Sequence, residues 1–310
     1  STLHGKLEET IAAWKGTETA LILNSGYTAN TGILPSLAGE GDIIFSDELN
    51  HASIVDGCKL SRARTVVFRH RDITHLEDLI RKSPIPPGSR HVVVTDTVFS
   101  MDGDIAPLRE IYEVCRTYGA LLYLDDAHGT GVLGGGKGAL AHIGIRPEPW
   151  IIQMGTFSKA LGSFGAFVAG SREIVAWIIN NARSFIFSTA LPSCIIAGSA
   201  KALELMEQTP ELLRKLWINR ERLAHALRER GFDIGQSETP IIPLKMKSVE
   251  DALTISQHLF EKGVYAPAIR PPTVKEPRVR ITITAAHSEE DIESFLNALL
   301  SAPVRRSWTG

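Results

Sequence analysis

Along the first 170 residues, short runs of almost continuous apolar residues alternate with longer stretches in which apolar positions return every three or four residues. The runs ALILN (20–24), DIIFSD (42–47), RTVVF (64–68), HVVVTD (91–96), ALLYLD (120–125), WIIQMG (150–155) and GAFVAG (165–170) have strand length and β-branched content. Runs that are apolar on both faces predict strands covered on both sides. The stretches 27–38, 51–62, 74–82 and 107–118 predict helices between them. This alternation predicts an α/β fold with a mostly parallel sheet. The opening STLHGKLEETIAAWKG predicts an amphipathic helix with Leu3, Leu7, Ile11 and Trp14 on one face.

Past residue 200 the pattern changes. Residues 201–230 predict one long, charged helical region ending at Gly231, followed by PIIPLKM, a helix over 249–262, the strand RVRITIT and a last helix over 288–300. This predicts a large domain over 1–205, a smaller α+β domain over 206–302 and a frayed tail over 303–310. The net charge of −2 and pI near 6.6 over 310 residues give no basic field for nucleic acid or a membrane surface. Cys58, Cys115 and Cys194 have no paired spacing, which predicts a reduced, cytoplasmic protein without a zinc or disulfide framework. The longest uncharged run, Thr19 to Gly39, is broken by Asn24, Asn30, Pro35 and glycines, and does not read as a membrane span.

Candidate chemistry follows the strands, because open α/β sheets gather ligands beyond their carboxyl ends. After successive strands come Gly26 at a helix start, His51, Ser100, then Asp125 and His128, then Thr156, Ser158 and Lys159. Lys159 is the sole ionisable residue between Glu148 and Arg172. Each residue alone has a plain structural reading: a turn glycine, a helix-start histidine, a capping serine or carboxylate, a lysine reaching solvent. Together they ask for more. His51, His128 and Asp125 could supply three metal ligands, but that leaves the isolated lysine unexplained. No G-x-S-x-G elbow and no G-x-x-x-x-G-K-[ST] loop occurs, and GGGKG (134–138) reads as a flexible loop.

A pyridoxal phosphate site needs nearly the whole set. It requires a lysine to bond the aldehyde, in a pocket that lowers its pKa, and a carboxylate opposite the pyridine nitrogen. It also requires N–H groups and hydroxyls for the phosphate, and a flat group to stack on the ring. Lys159, Asp125, Gly26 with Thr156, and His51 fit those roles.

The segments SGYTAN, LNHASIVDG, DTVFSMDGDIAPL, LDDAHGTGVLG and GTFSKALGSFG together resemble the α-oxoamine synthases, a family of fold-type I pyridoxal-phosphate enzymes, from residue 1 to about 300. TPIIPL and YAPAIRPPTV…RVRITITAAHS look most like the biotin-pathway branch. That branch condenses L-alanine with a pimeloyl thioester of coenzyme A or acyl-carrier protein. The core motifs are shared with glycine C-acetyltransferase and with synthases of 5-aminolevulinate and sphingoid bases. A catalytically silent partner subunit is the remote alternative, against which Lys159 and Asp125 argue.

The resemblance implies that Lys159 bonds the cofactor and moves the Cα proton, while Asp125 pairs with the pyridine nitrogen. It places His128 and Ser100 near the phenolic oxygen, and His51 on the ring and near substrate. Gly26, Tyr27, Thr156 and Ser158 hold the phosphate end. It further implies a homodimer with the active site at the interface, where Ser188 and Thr189 reach the partner's phosphate. Arg280 and Arg270 become candidates for the substrate carboxylate, with Thr273 near the acyl chain. The family carries some tens of residues ahead of the position where this sequence starts. It also commonly has Glu where this sequence has Asp96, one methylene shorter.

Overall fold

The computed structural model describes residues 1–303. The chain divides into two compact units: Ser1–Phe99 with Ala106–Gln208, and Ser100–Ile105 with Thr209 onward.

In the first unit, helix α1 (Thr2–Lys15) leads into β1 (Thr19–Leu23), α2 (Gly26–Leu37), β2 (Ile43–Asp47), α3 (Ala52–Leu60), β3 (Arg64–Phe68), α4 (Ile73–Arg81) and β4 (His91–Asp96). Then come α5 (Leu108–Tyr118), β5 (Leu121–Asp125), the short α6 (Ala139–His142), β6 (Ile151–Thr156), β7 (Ala166–Gly170), α7 (Arg172–Asn181), the short α8 (Arg183–Ile186) and α9 (Ser193–Gln208). The strands form one seven-stranded sheet in the order β1-β7-β6-β5-β4-β2-β3. Only β7 runs against the others.

Both faces of this sheet are buried except at the edge strand β3, which was expected to be covered on both sides but exposes Arg64, Thr65 and Val67 because it has a neighbour on one side only. The other strands read as unbroken apolar runs because both their faces are covered. Along β1, Leu21 and Leu23 pack with Ile33 and Leu34 of α2, whereas Ala20 and Ile22 pack with Leu7, Ile11 and Trp14 of α1. Leu3, on the expected apolar face of α1, is exposed. Along β7, Ala166 and Val168 join the first layer, and Phe167 and Ala169 the second.

In the second unit, α10 (Pro210–Glu229), β8 (Ile241–Lys245), α11 (Val249–Glu261), the two-residue β9 (Ala268–Ile269), β10 (Arg278–Thr282) and α12 (Glu289–Leu300) form an α+β layer on an antiparallel sheet ordered β8-β10-β9. The long helical region expected over 201–230 is two helices. Proline cannot donate the hydrogen bond a continuous helix needs, yet suits a first helical position, so α9 stops at Gln208 and α10 restarts at Pro210.

Two further details depart from the sequence expectation. Residues 100–105, expected in the large domain, belong to the second unit. There the buried Arg278 donates to Met101 O at 3.0 Å and pairs with Asp102, and Thr239 Oγ1 donates to Gly103 O at 2.8 Å. Gly103 sits at φ +69°, where a Cβ would lie 1.9 Å from Ile241 O. The GGGKG stretch is not a loose loop: Gly134–Gly136 make a 3-10 turn, with Gly131 N donating to Gly136 O at 2.8 Å. The expected frayed tail falls almost wholly on residues 304–310, outside the described residues.

Candidate active site

The carboxyl ends of β4 and β5 set the electrostatics. Asp96 and Asp125 are register partners on these adjacent strands, and both are buried. Burial, and then the charge on Asp125, pushes Asp96 well above the ordinary carboxylate range. Burial also raises Asp125, opposed by its hydrogen bond from Asn30 and by the charge on Lys159. Despite its shorter side chain, Asp96 reaches its neighbour: Oδ2 accepts from His51 N at 2.6 Å.

Asp125 accepts from Ala127 N at 3.1 Å and from Asn30 Nδ2 at 2.7 Å. A carboxylate has about four acceptor positions, so this one has capacity left for a cationic donor. Asn30 also donates to Ser53 Oγ at 2.8 Å and accepts from Tyr123 OH at 2.8 Å. His51 caps α3: its Nδ1 accepts from Ser53 N at 3.2 Å and lies 2.8 Å from Ser53 Oγ. Partial burial lowers the pKa of His51, with Asp125 opposing and Lys159 adding to the effect.

Lys159 follows β6 on the connection to β7, and its charge acts on Asp125, Asp96 and His51 together. The sequence expectation of an enclosing pocket is not met by this chain alone: Ser158, Lys159 and Ala160 are all exposed, on the connection beyond the carboxyl end of β6. Thr156 and Ser158 form a hydroxyl pair at 2.8 Å. The Thr156 proton goes to Gly165 O at 2.8 Å, so Ser158 is the donor within the pair, and its exposed hydroxyl would have to leave Thr156 to turn toward a phosphate.

Gly26 and Tyr27 open α2, where Ser25 caps Thr28 N and the helix dipole favours an anion. The Tyr27 hydroxyl donates to Asp56. His128 is half-buried in the turn after β5. Ser188 and Thr189 are exposed, and Thr189 O accepts from Asn24 Nδ2 at 2.8 Å.

The remaining candidates lie in the second unit. Arg280 donates to Ser100 O at 3.3 Å, while its buried Nε has no partner among the described residues. Arg270 and Thr273 are both exposed, joined by a turn in which Thr273 N donates to Arg270 O at 3.1 Å. Among the described residues no three His, Cys, Asp or Glu side chains gather as a metal cage would require, and no helix is long and apolar enough to cross a membrane.

Sequence reading missed two groups. Asn30 enters the sequence reading only as a polar break in the Thr19–Gly39 run and within SGYTAN, and Tyr123 only within its strand, though a fully buried asparagine beside Ile33 and Leu34 signals a committed partner. Lys15 was missed as well. It is buried on the apolar face of α1, and Nζ donates to Asp126 Oδ2 at 2.8 Å, Thr130 Oγ1 at 3.0 Å and Lys137 O at 2.8 Å. Asp126 in turn accepts from Thr97 Oγ1 at 2.7 Å and Ala139 N at 3.2 Å, anchoring the turn that carries Asp125 and His128.

The donor set suits pyridoxal phosphate: a lysine beyond one strand end, a buried carboxylate with spare capacity on the next, a helix N-terminus and an exposed hydroxyl. Residues 1–299 match the aminotransferase class I and II family. A protein of Thermodesulfovibrio yellowstonii is 55% identical over 297 residues, covering 96% of this chain and 76% of that one. The 8-amino-7-oxononanoate synthase of Geobacter sulfurreducens is 50% identical over 303 residues, with coverage of 96% and 76%. Among solved structures, a lysine-to-alanine variant of the serine palmitoyltransferase of S. paucimobilis with a bound pyridoxal phosphate–myriocin aldimine superposes with a TM-score of 0.91 at 30% identity, covering 96% of this chain and 76% of that one. The 8-amino-7-oxononanoate synthase of Francisella tularensis gives 0.85 at 26%, covering 96% and 86%. The chain therefore belongs to the aminotransferase class I and II family, within its pyridoxal-phosphate-dependent α-oxoamine synthases.

Proposed function

We propose that this chain makes 8-amino-7-oxononanoate in biotin biosynthesis. It condenses L-alanine with a pimeloyl thioester and releases carbon dioxide and the free thiol of coenzyme A or acyl-carrier protein. The observation that carries the reading is Lys159 acting electrostatically on buried Asp125 from the adjacent strand end, in a chain half identical to a synthase of that name.

When bound, pyridoxal phosphate supplies an aldehyde carbon that bonds reversibly to amines and a ring that draws electrons from the substrate's Cα. Asp125 pairs with the ring nitrogen and keeps its proton in place, its charge supported by Asn30 and Ala127. Lys159 would hold the aldehyde end of the group and would be the base that takes the Cα proton and returns a proton after decarboxylation. A bond forms between Cα and the acyl carbon as the C–S bond breaks; the Cα–carboxylate bond then breaks as carbon dioxide leaves.

His51 would stack on the ring and exclude water from one face. The start of α2 at Gly26 and Tyr27, with Thr156 and Ser158, holds the phosphate, and His128 and Ser100 serve the phenolic oxygen. Arg280, with its unpartnered Nε, is the stronger candidate for the substrate carboxylate and Arg270 the second, with Thr273 toward the acyl chain. The exposure of Lys159, Ser188 and Thr189 supports a homodimer in which a second copy completes the site.

The test is a visible absorption titration of the cofactor-loaded protein with L-alanine and, separately, glycine. The expected result is a band absent from Lys159→Ala that shifts at low alanine concentration. A response to glycine alone moves the assignment to a glycine-using sister enzyme. No band at all refutes the catalytic reading.

A further inference from the structure

We propose that Asn30 is a positioning residue that sets the direction of every hydrogen bond between Asp125 and His51, and so fixes neutral His51 with its proton on Nε2. The proposal deepens the site reading above, since it takes Asp125 as the carboxylate that faces a cationic ring nitrogen.

Each bond forces the next. The Asp125 carboxylate can only accept, so the group of Asn30 lying 2.7 Å from Oδ2 must be its NH2. The amide oxygen then faces Tyr123, whose hydroxyl donates at 2.8 Å in a fully buried position. The second hydrogen of the NH2 goes to Ser53 Oγ at 2.8 Å. Ser53, having accepted, sends its own hydrogen to the remaining neighbour, His51 Nδ1, at 2.8 Å. The backbone N–H of Ser53 points at the same Nδ1 from 3.2 Å and can only donate. An imidazole nitrogen that receives two donors carries no proton, and the hydrogen sits on Nε2.

The consequence for the chemistry is specific. The ring stacked in the site presents an N–H to any ligand at its outer edge, and therefore recognises an acceptor such as a carboxylate or carbonyl oxygen. It is not the base, which leaves proton removal to Lys159. The network spans α2, β5 and α3, so one amide ties the group on the ring nitrogen to the group on the ring face.

The test is long-range 15N spectroscopy of the protein labelled at histidine, with the His51 signals assigned by their loss in His51→Asn. Spectra are taken at pH 8, with and without bound cofactor. The expected parent spectrum has an unprotonated Nδ1 and a protonated Nε2. In Asn30→Ala and Ser53→Ala the share of the Nδ1–H form rises about tenfold, the worth of one hydrogen bond. A proton on Nδ1 in the parent overturns the proposal, as does a parent-like ratio in both variants. A residue that served packing alone would not move the tautomer. No substrate is present, so a failed alanine titration leaves this result standing.

Discussion

Two carboxylates end neighbouring strands, and their environments push them toward different jobs. Burial and the charge on Asp125 push Asp96, which accepts from His51 N, well up, whereas the rise of Asp125 is opposed by Asn30, Lys159 and Ala127. A raised folded-state pKa gives stability that is present below the unfolded value of 3.8 and is lost as pH rises through the folded value. Asp96→Asn keeps an acceptor for His51 N and cannot ionise. Urea titrations at pH 4 to 8 should therefore show the variant gaining on the parent as pH rises, with the two converging at the acid end. A constant difference across that range would mean that Asp96 is not held protonated. Asp125 and Lys159 were legible in the sequence because a carboxylate at a strand end and a lysine without charged neighbours stand out locally. Asn30 was not, because its meaning lies in a partner 95 residues away.

At the scale of elements, seven strands and their intervening helices were readable because burial on both sheet faces leaves an apolar run. Direction was less readable, since a buried antiparallel strand such as β7 has the same composition as its parallel neighbours. The role of α1 was hidden in a single residue. Lys15 stands four positions beyond Ile11 on the face that meets the sheet, and all three of its ammonium hydrogens are committed. Its partner, Asp126, is 111 residues distant. Lys15→Met leaves Asp126 charged and buried without its counter-ion, which costs about 3–5 kcal/mol. A denaturation midpoint unchanged from the parent would show that the pair is dispensable. The same pair explains the turn at Gly138: at φ +97° a Cβ there would lie 1.8 Å from Asp126 Oδ2 and 2.6 Å from Lys15 Nζ.

For the whole molecule, the change of pattern near residue 205 marked a second unit, but nothing local showed that residues 100–105 belong to it. Their acceptors answer to Arg278, Thr239 and Arg280, far along the chain. The polypeptide thus passes between the units three times, after Phe99, Ile105 and Gln208. A protease site inserted between Gln208 and Thr209 should yield two fragments that co-elute in native buffer and part only in denaturant. Separation without denaturant would mean that the 100–105 segment contributes little holding power. The same arrangement has a cost in time. Asp102 leaves the ribosome 176 residues ahead of Arg278, its partner. At about 5–20 residues per second the interval is roughly 10 to 35 s. In the later part of that interval, once β7 has emerged, the nascent chain carries all seven strands of the sheet with one short segment still waiting for the residues that will hold it.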